Sequence, residues 1–207
     1  MVVPTRIRDW TMDVTVKYFK KGGDHSDEVL KHAKEIIDSN GDIKDIIVAS
    51  TRGGTGLLAC KIFDPGKYNV IVVTHSDGFA GPNKQELKTG NKEQIERLGG
   101  KVLTATHALS GVESGISKVL SGGVVFPVEL FAKILRIIAC DGVKVCIEIA
   151  LMAADAGFIT DVTKDVLCIG GTGAGADTAC IIKPAYSRAF TELRLKQILC
   201  KPEIGRS

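Results

Sequence analysis

Aromatic residues are scarce in this sequence, where only 5% of the 207 residues are Phe, Trp or Tyr. The hydrophobic residues, 44% of the chain, are therefore mainly aliphatic. Aliphatic runs are typical of parallel strands that are buried on both faces. A chain of this length buries about 70% of its unfolded surface, so it can hold a core without disulfides or a structural metal. The composition favours a globular α/β protein.

The sequence also lacks the cysteine spacing of a zinc site or a disulfide framework. Its six cysteines include no Cys-x-x-Cys pair, and none has a histidine at ligand spacing. Cys146, Cys168 and Cys180 lie within apolar runs, where a thiol behaves as a small hydrophobic side chain. The first residues contain no apolar segment of the signal-peptide kind. We therefore expect free thiols, no metal site and a cytoplasmic location.

No single sign of charge dominates the chain. The 27 Lys and Arg residues against 24 Asp and Glu residues leave a net charge of +3. Proteins that bind nucleic acid through its phosphates usually carry a basic stripe, so nucleic acid is not an expected partner. The apolar stretch from Val124 to Ile159 is interrupted by charged residues and predicts two buried helices, not a membrane span. The same helices could equally supply a homo-oligomer interface.

Strand and helix patterns alternate along the chain. Residues 1–23 are predicted to form an arm or an edge strand, and the helix that follows has Ser26 as its predicted cap. Alternation predicts a single α/β domain over residues 1–207, with three layers and a mostly parallel sheet of about five strands, the last one antiparallel. The final segment fits either a helix or a strand. The predicted strands are KDIIVAS, YNVIVVTHS, KVLTAT, DVLCIGG and DTACIIKP.

The first candidate site joins a predicted strand to a helix. Glycines there let the backbone close around phosphate oxygens, and the free amides of a helix start favour an anion. Hydroxyl groups and an arginine add further donors. Without the Gly-Lys-Ser/Thr ending of a P-loop, nucleoside triphosphate hydrolysis is not predicted. The alternative is a plain strand–helix turn with a capping threonine. The residues are Ser50, Thr51, Arg52, Gly53, Gly54 and Thr55.

A second glycine-rich segment lies near the end of the chain. It formally fits the Gly-x-Gly-x-x-Ala dinucleotide fingerprint, but the segment after it is β-branched and reads as a strand, not the helix that the fingerprint requires. A hairpin loop is therefore predicted, which either covers a ligand or is purely structural. Its candidate binding residues are Gly170, Gly171, Thr172, Gly173, Gly175 and Asp177.

Polar residues follow two more predicted strands, and the carboxyl ends of parallel strands meet at one edge of a sheet. His75 and His107 are the candidate catalytic residues, as acid–base groups, with a capping or structural role as the alternative. Glu148 lies on an apolar helix, where a buried carboxylate needs a partner, and a structural ion pair is the common explanation. The candidate binding residues at these strand ends are Thr74, His75, Ser76, Thr106 and His107.

Two segments carry a resemblance to a known family. IIVASTRGGTGLLACKIFDPGKYNVIVVTHS resembles the start of the pyruvate kinase C-terminal domain, and DVLCIGGTGAGADTACIIKP resembles its closing strand–loop–strand. The whole chain is similar to stand-alone archaeal and bacterial proteins built on this domain. The resemblance implies that residues 50–55 hold a phosphate and that residues 171–175 close over the ligand. It implies no kinase catalysis, because the kinase active site lies in a barrel that this chain lacks.

The ligand associated with the stand-alone family is flavin mononucleotide (FMN), so the resemblance implies an FMN-binding flavoprotein. The residues alone do not require a flavin, since Trp10 is the only tryptophan and no ring-stacking pair is evident. The helical segment from Val112 to Phe158 and the N-terminal arm depart from the pattern. An enzyme acting on a phosphorylated metabolite, a flavin-dependent oxidoreductase and a regulatory effector-binding module are the alternatives.

Overall fold

The computed structural model describes residues 14–20, 22–120 and 124–203. The first thirteen residues of the predicted arm, Trp10 included, lie outside the described part. The strands are β1 (Lys17–Phe19), β2 (Asp45–Ala49), β3 (Asn69–Thr74), β4 (Lys101–Thr104), β5 (Val166–Gly170), β6 (Thr178–Lys183) and β7 (Arg194–Pro202). They form one sheet in the order β1-β7-β6-β5-β2-β3-β4.

The sheet is mostly parallel. Strands β5, β2, β3 and β4 run parallel to one another, β6 is antiparallel to both of its neighbours, and β1 pairs parallel with β7 at the edge. The predicted α/β class and the antiparallel β6 are confirmed. The sheet has seven strands instead of about five. The difference comes from β1, predicted as an arm or edge strand, and from β7, in the segment that fitted either a helix or a strand.

Helices cover both faces of the sheet. One core cluster joins the helices within residues 26–97 to the sheet, and a second joins the helices within residues 127–155 to its other face. Side chains alternate between these clusters along each strand: Ile46 and Val48 belong to the first, and Ile47 to the second. The helices are α1 (Ser26–Asn40), α2 (Gly54–Ile62), α3 (Thr89–Arg97), α4 (Gly111–Ser117), α5 (Pro127–Ile138) and α6 (Asp141–Asp155), with a 3₁₀ helix at Ser187–Glu192.

The start of α1 differs from the prediction. Its N-cap is His25, and Ser26 is the first helical residue. The Ser26 hydroxyl accepts a hydrogen bond from the amide of Ala176 (2.8 Å) instead of capping its own helix. A buried amide in a distant loop needs an acceptor more than an exposed helix end does, because water can reach the latter. Ser26 therefore ties α1 to the loop between β5 and β6.

The two apolar helices near the middle of the chain are not equally buried. Nearly all of α6 is buried, as predicted. The prediction was wrong for α5, whose inner side packs on α6 while Leu130, Ile134, Ile137 and Ile138 face outward and are exposed. A second apolar stripe at spacing i, i+4, i+7 and i+8 is unusual on a free helix surface.

Within the described ranges, no helix is long and apolar enough to cross a membrane. All six cysteines are free and buried. Burial raises the pKa of the Cys60 thiol to about 11 and that of Cys200 to about 12. These thiols are therefore protonated packing groups, not nucleophiles. No group of His, Cys, Asp and Glu side chains suited to a metal ion is found in the same part of the chain.

Candidate ligand-binding site

A cleft of about 1200 Å³ lies at the carboxyl ends of β2, β3, β4 and β5. The strand order changes direction between β2 and β5, which is where ligands bind in open α/β sheets. Gly53, Gly170 and Asp177 do not line the cleft, whereas the other predicted binding residues do. These are Ser50, Thr51, Arg52, Gly54, Thr55, Thr74, His75, Ser76, Thr106, His107, Gly171, Thr172, Gly173 and Gly175.

The loop between β2 and α2 presents free backbone amides to the cleft. Among the described residues, the amides of residues 51–55 donate no hydrogen bond, whereas the amide of Gly56 donates to the Ser50 hydroxyl (3.0 Å). They stand at the N-terminus of α2, where the helix dipole is positive. Arg52 is exposed at the same place and forms no ion pair within the described part of the chain. The loop is chemically suited to a phosphate group.

Gly53 shapes this loop although its own atoms do not line the cleft. It is the N-cap of α2 and has a left-handed backbone conformation, with φ of 88°. A Cβ at this position would lie 2.7 Å from Cβ of Asn91, too close for a side chain. The side-chain amide of Asn91 in turn donates a hydrogen bond from Nδ2 to the carbonyl oxygen of Arg52 (2.8 Å). Because Gly53 is the cap, the alternative in which Thr55 caps the helix does not hold, and the Thr55 side chain is left to face the cleft.

His75 connects the first loop to the segment after β3. Its Nε2 lies 3.3 Å from Oγ1 of Thr51, and its Nδ1 lies 2.7 Å from Oε2 of Glu86. The hydroxyl of Thr74 donates to the carbonyl oxygen of Thr51 (2.9 Å). Sequence spacing did not indicate this array, because Thr51 comes from the β2–α2 loop while His75 and Glu86 lie eleven residues apart in the connection between β3 and α3. Glu86 stands in a polar stretch that gives no signal of its own.

Three aromatic rings meet at the cleft. The ring centroids of His75 and Phe79 are 4.2 Å apart, and the His107 ring lies edge-on to both, at 5.1 and 5.0 Å. Phe79 is 57% exposed, which is high for the largest apolar side chain in its segment. No ring-stacking pair is evident in the sequence, whereas the structure brings these three rings together at the cleft. The available signal was a lone phenylalanine in an otherwise polar stretch directly after a strand.

A buried ion pair forms the floor of the cleft beneath His107. Lys144 Nζ lies 2.5 Å from Oε2 of Glu148. The other carboxylate oxygen accepts a hydrogen bond from the amide of Leu109 (3.0 Å). Burial lowers the pKa of Lys144, and the attraction of Glu148 opposes that shift. Burial also lowers the pKa of His107, again against the attraction of Glu148. His107 is thus a neutral imidazole at neutral pH.

The loop between β5 and β6 closes one side of the cleft. Its shape is fixed by Asp177, which accepts hydrogen bonds from the Thr172 amide (3.0 Å) and the Thr178 hydroxyl (2.6 Å). Asp177 therefore stabilises the loop from outside the cleft, where it lines a smaller neighbouring cavity. Gly175 has φ of 73°, and a Cβ there would run into the Asp24 carboxylate. The loop is a hairpin connection, as predicted, between the paired strands β5 and β6.

The charged residues of the cleft lining balance one another in number. Arg52, Lys118 and Lys133 form no ion pair among the residues that the structure describes. Two other cations are paired, Arg136 with Asp141 at 2.9 Å and Lys144 with Glu148. Of the remaining carboxylates, Glu86 lies beside His75, Glu129 accepts a hydrogen bond from Ser114, and Asp24 accepts one from the Ser26 amide. A preference for an anion therefore comes from Arg52 and the amides of the β2–α2 loop, not from a net positive charge.

No protein-family model matches the sequence. The likeness to the pyruvate kinase C-terminal domain therefore rests on the two quoted segments alone. The function of the cleft has to be inferred from its own geometry and charge.

Proposed function

We propose that this protein binds a small phosphorylated ligand, with FMN as the first candidate, in the cleft at the carboxyl ends of its parallel strands. The observation that carries the proposal is the set of backbone amides at Thr51, Arg52, Gly54 and Thr55, which line the cleft and donate no hydrogen bond to any described residue. A phosphate placed there would accept several backbone hydrogen bonds and a bidentate contact from arginine. The resemblance to a phosphate-binding domain points to the same loop.

The rest of the ligand would lie across the aromatic rings. Phe79 is exposed beside His75 and His107, next to the phosphate loop, so a planar ring attached to the phosphate could stack there. Aromatic stacking of this kind contributes about 0.5–1.5 kcal/mol beyond the area that it buries. The cleft volume of about 1200 Å³ is ample for a mononucleotide. FMN fits both requirements, and when bound it would supply redox chemistry.

The first experiment is an absorption spectrum of the purified protein, followed by mass spectrometry of what denaturation releases. A flavin band and a released mononucleotide would support FMN. If the protein is colourless, FMN and inorganic phosphate should be titrated into it by calorimetry. If the protein binds inorganic phosphate but not FMN, the proposal that FMN is the ligand is contradicted, while the proposed phosphate site is supported. Failure to bind either would contradict the proposal as a whole.

Two variants separate the parts of the site. The double variant Arg52→Ala, Thr55→Ala should weaken the binding of both FMN and inorganic phosphate by about 2–4 kcal/mol, because charged hydrogen bonds contribute roughly 1.5–3 kcal/mol each. Phe79→Ala should weaken the binding of FMN but not the binding of inorganic phosphate. The matched control is Arg97→Ala with Thr104→Ala, two exposed residues of the same types that do not line the cleft. Unchanged FMN affinity in the first variant would remove residues 51–55 as the phosphate site.

The same proposal includes the state and location of the protein. We propose a homo-oligomer, because α5 exposes an apolar stripe and α4 adds Val112 and Ile116 beside it. Exposed apolar patches of this extent usually mark a contact surface. Symmetric association of identical chains is the commonest way to cover one. We propose a cytoplasmic location, because the six cysteines are free thiols, as is usual in a reducing compartment.

A further inference from the structure

A hydroxyl group, an imidazole and a carboxylate are aligned at the cleft. Thr51 Oγ1 lies 3.3 Å from Nε2 of His75, and Nδ1 of His75 lies 2.7 Å from Oε2 of Glu86. We propose that Thr51, His75 and Glu86 form a nucleophile–base–carboxylate triad that cleaves a phosphate ester held in the β2–α2 loop. The inference rests on the phosphate binding proposed above and adds a reaction to it.

Glu86 determines which nitrogen of His75 can act as a base. A carboxylate only accepts hydrogen bonds, so Nδ1 must carry the proton that points to Glu86. The neutral ring then has its lone pair on Nε2, which faces the Thr51 hydroxyl. The 3.3 Å distance is long for a hydrogen bond, as is common for a nucleophile and its base before substrate is bound. Glu86 thus orients His75 and stabilises the positive charge that His75 gains.

The backbone around Thr51 is arranged for attack on a phosphate. The amides that follow it in the chain, from Arg52 to Thr55, are those without a partner among the described residues. A phosphate that accepts their hydrogen bonds has its phosphorus beside the hydroxyl at the start of the loop. The negative charge that develops on the equatorial oxygens would be held by these amides and by Arg52. The carbonyl of Thr51 is itself held by the Thr74 hydroxyl, which limits movement of the nucleophile.

The neighbouring ring does not oppose this chemistry. His107 lies edge-on to His75, with ring centroids 5.1 Å apart. Burial lowers the pKa of His107, so this ring is neutral at neutral pH. Protonation of His75 during the reaction therefore meets no positive charge on His107. Lys144, the next cation inward, is neutralised by Glu148.

The reaction proceeds in two balanced steps. Thr51 Oγ1 bonds to phosphorus as the ester P–O bond breaks, and His75 Nε2 takes the hydroxyl proton. The alkoxide departs on the opposite side of phosphorus, takes a proton from water and leaves as an alcohol, while His75 gives its proton to the hydroxide so formed. Water then attacks the phosphothreonine, and the neutral His75 takes a proton from that water. The P–Oγ1 bond breaks, the proton passes to Thr51, and inorganic phosphate is released. No oxidant, reductant or further reactant is required.

The test uses the full chain with p-nitrophenyl phosphate as the probe. Nitrophenolate release is followed by absorbance, samples are quenched in acid, and peptides are mapped by mass spectrometry for a phosphate on Thr51. Thr51→Val should abolish both signals, while Thr51→Ser should retain them. His75→Gln should lower kcat on the order of 10²–10⁴-fold, the usual contribution of a general base. Circular dichroism of each variant shows whether it folds.

Glu86 is a positioning residue, so its test must separate position from fold. Glu86→Gln keeps the size of the side chain but removes its charge. We expect kcat to fall on the order of 10²–10⁴-fold, as when the carboxylate of such a triad is neutralised, with KM little changed. The matched controls are Thr104→Val and His32→Gln, which replace residues of the same types outside the cleft lining and should leave kcat unchanged.

The outcomes distinguish failure of the triad from failure of phosphate binding. Phosphothreonine at residue 51, with turnover lost in Thr51→Val, supports the triad. Probe that binds in calorimetry but is never cleaved overturns the triad and leaves phosphate binding intact. Cleavage that continues in Thr51→Val, or that occurs without phosphothreonine at any quench time, also overturns it. Probe that does not bind at all overturns both the triad and the proposed function.

Discussion

Breaking the ion pair under the cleft should destabilise the protein strongly. The side chains of Lys144 and Glu148 are only 6% and 7% exposed. Lys144→Met leaves the Glu148 carboxylate without its counter-ion. Glu148→Gln leaves the Lys144 ammonium unpaired, although the new amide oxygen can still accept from Leu109. Each single change therefore leaves one buried charge without a counter-ion and alters few other contacts.

The magnitude follows from that burial. Removing one partner of a buried pair costs about 3–5 kcal/mol, because the remaining ion is poorly solvated. The double variant, Lys144→Met with Glu148→Gln, buries no ion and should cost only about 1–2 kcal/mol for an imperfectly bonded amide. The lowered pKa of Lys144 agrees with this, since burial outweighs the attraction of Glu148. A base with a lowered folded pKa reduces stability at neutral pH and ceases to do so above its unfolded pKa.

Urea unfolding at neutral pH measures these differences. In a chain of this size, each single variant should also lose roughly 6–20 °C in Tm. The control pair is Lys31 and Asp27, which has the same i,i+4 spacing but side chains 62% and 59% exposed. Lys31→Met and Asp27→Asn should each cost less than about 1 kcal/mol. Losses below about 1 kcal/mol at Lys144 and Glu148 as well would refute the reasoning, since the pair would then behave as a solvated one.

Two further predictions concern the thiols and the surface of α5. Iodoacetamide at neutral pH should leave the native cysteines unmodified and label all six after unfolding, as counted by intact mass, because burial raises the pKa of Cys60 to about 11 and that of Cys200 to about 12. Replacing Ile137 and Ile138 by Lys should convert the proposed oligomer to a monomer in size-exclusion chromatography with light scattering, because both side chains lie in the exposed apolar stripe.

Each of these predictions has its own control. Rapid labelling of one native cysteine would show that its thiol is reached by solvent and is not a packing group. For the oligomer, Leu98→Lys changes an exposed apolar residue at the end of α3 and should leave the assembly unchanged. A wild-type chain that is monomeric at micromolar concentration would contradict the assignment of α5 as an interface.

The sequence predicted the central sheet well, because its signal is local. Aliphatic runs such as residues 45–49 can be buried on both faces in only a few ways, and the first three of them are each followed by a helix pattern. The strand β7 (Arg194–Pro202) was harder to predict because its alternation is irregular. It pairs with β6 through register shifts near Cys180 and Ile182. Its strand state depends on partners at both edges, which no local pattern reveals.

The candidate site was predicted where strand ends carry polar residues and glycines, such as Arg52 and His75. The contribution of Glu86 could not be predicted, and that of Phe79 was marked only by its isolation in a polar stretch, because both lie in a segment between β3 and α3 without regular structure. Their proximity to His75 depends on the path of that segment, not on spacing in the sequence. Ser26 shows the converse case: a local rule assigned it to a helix cap, and a tertiary hydrogen bond from Ala176 took precedence.

The order of the strands also determines how the chain is exposed while it is being made. Ile46 on β2 pairs with Leu167 on β5, about 120 residues later in the sequence. At about 5–20 residues per second, roughly 6–24 s of synthesis separate the two strands. Until β5 emerges from the ribosome, one edge of β2 has no hydrogen-bonding partner. A nascent chain arrested before Val166 thus carries an open, apolar sheet edge of the kind that pairs with other chains.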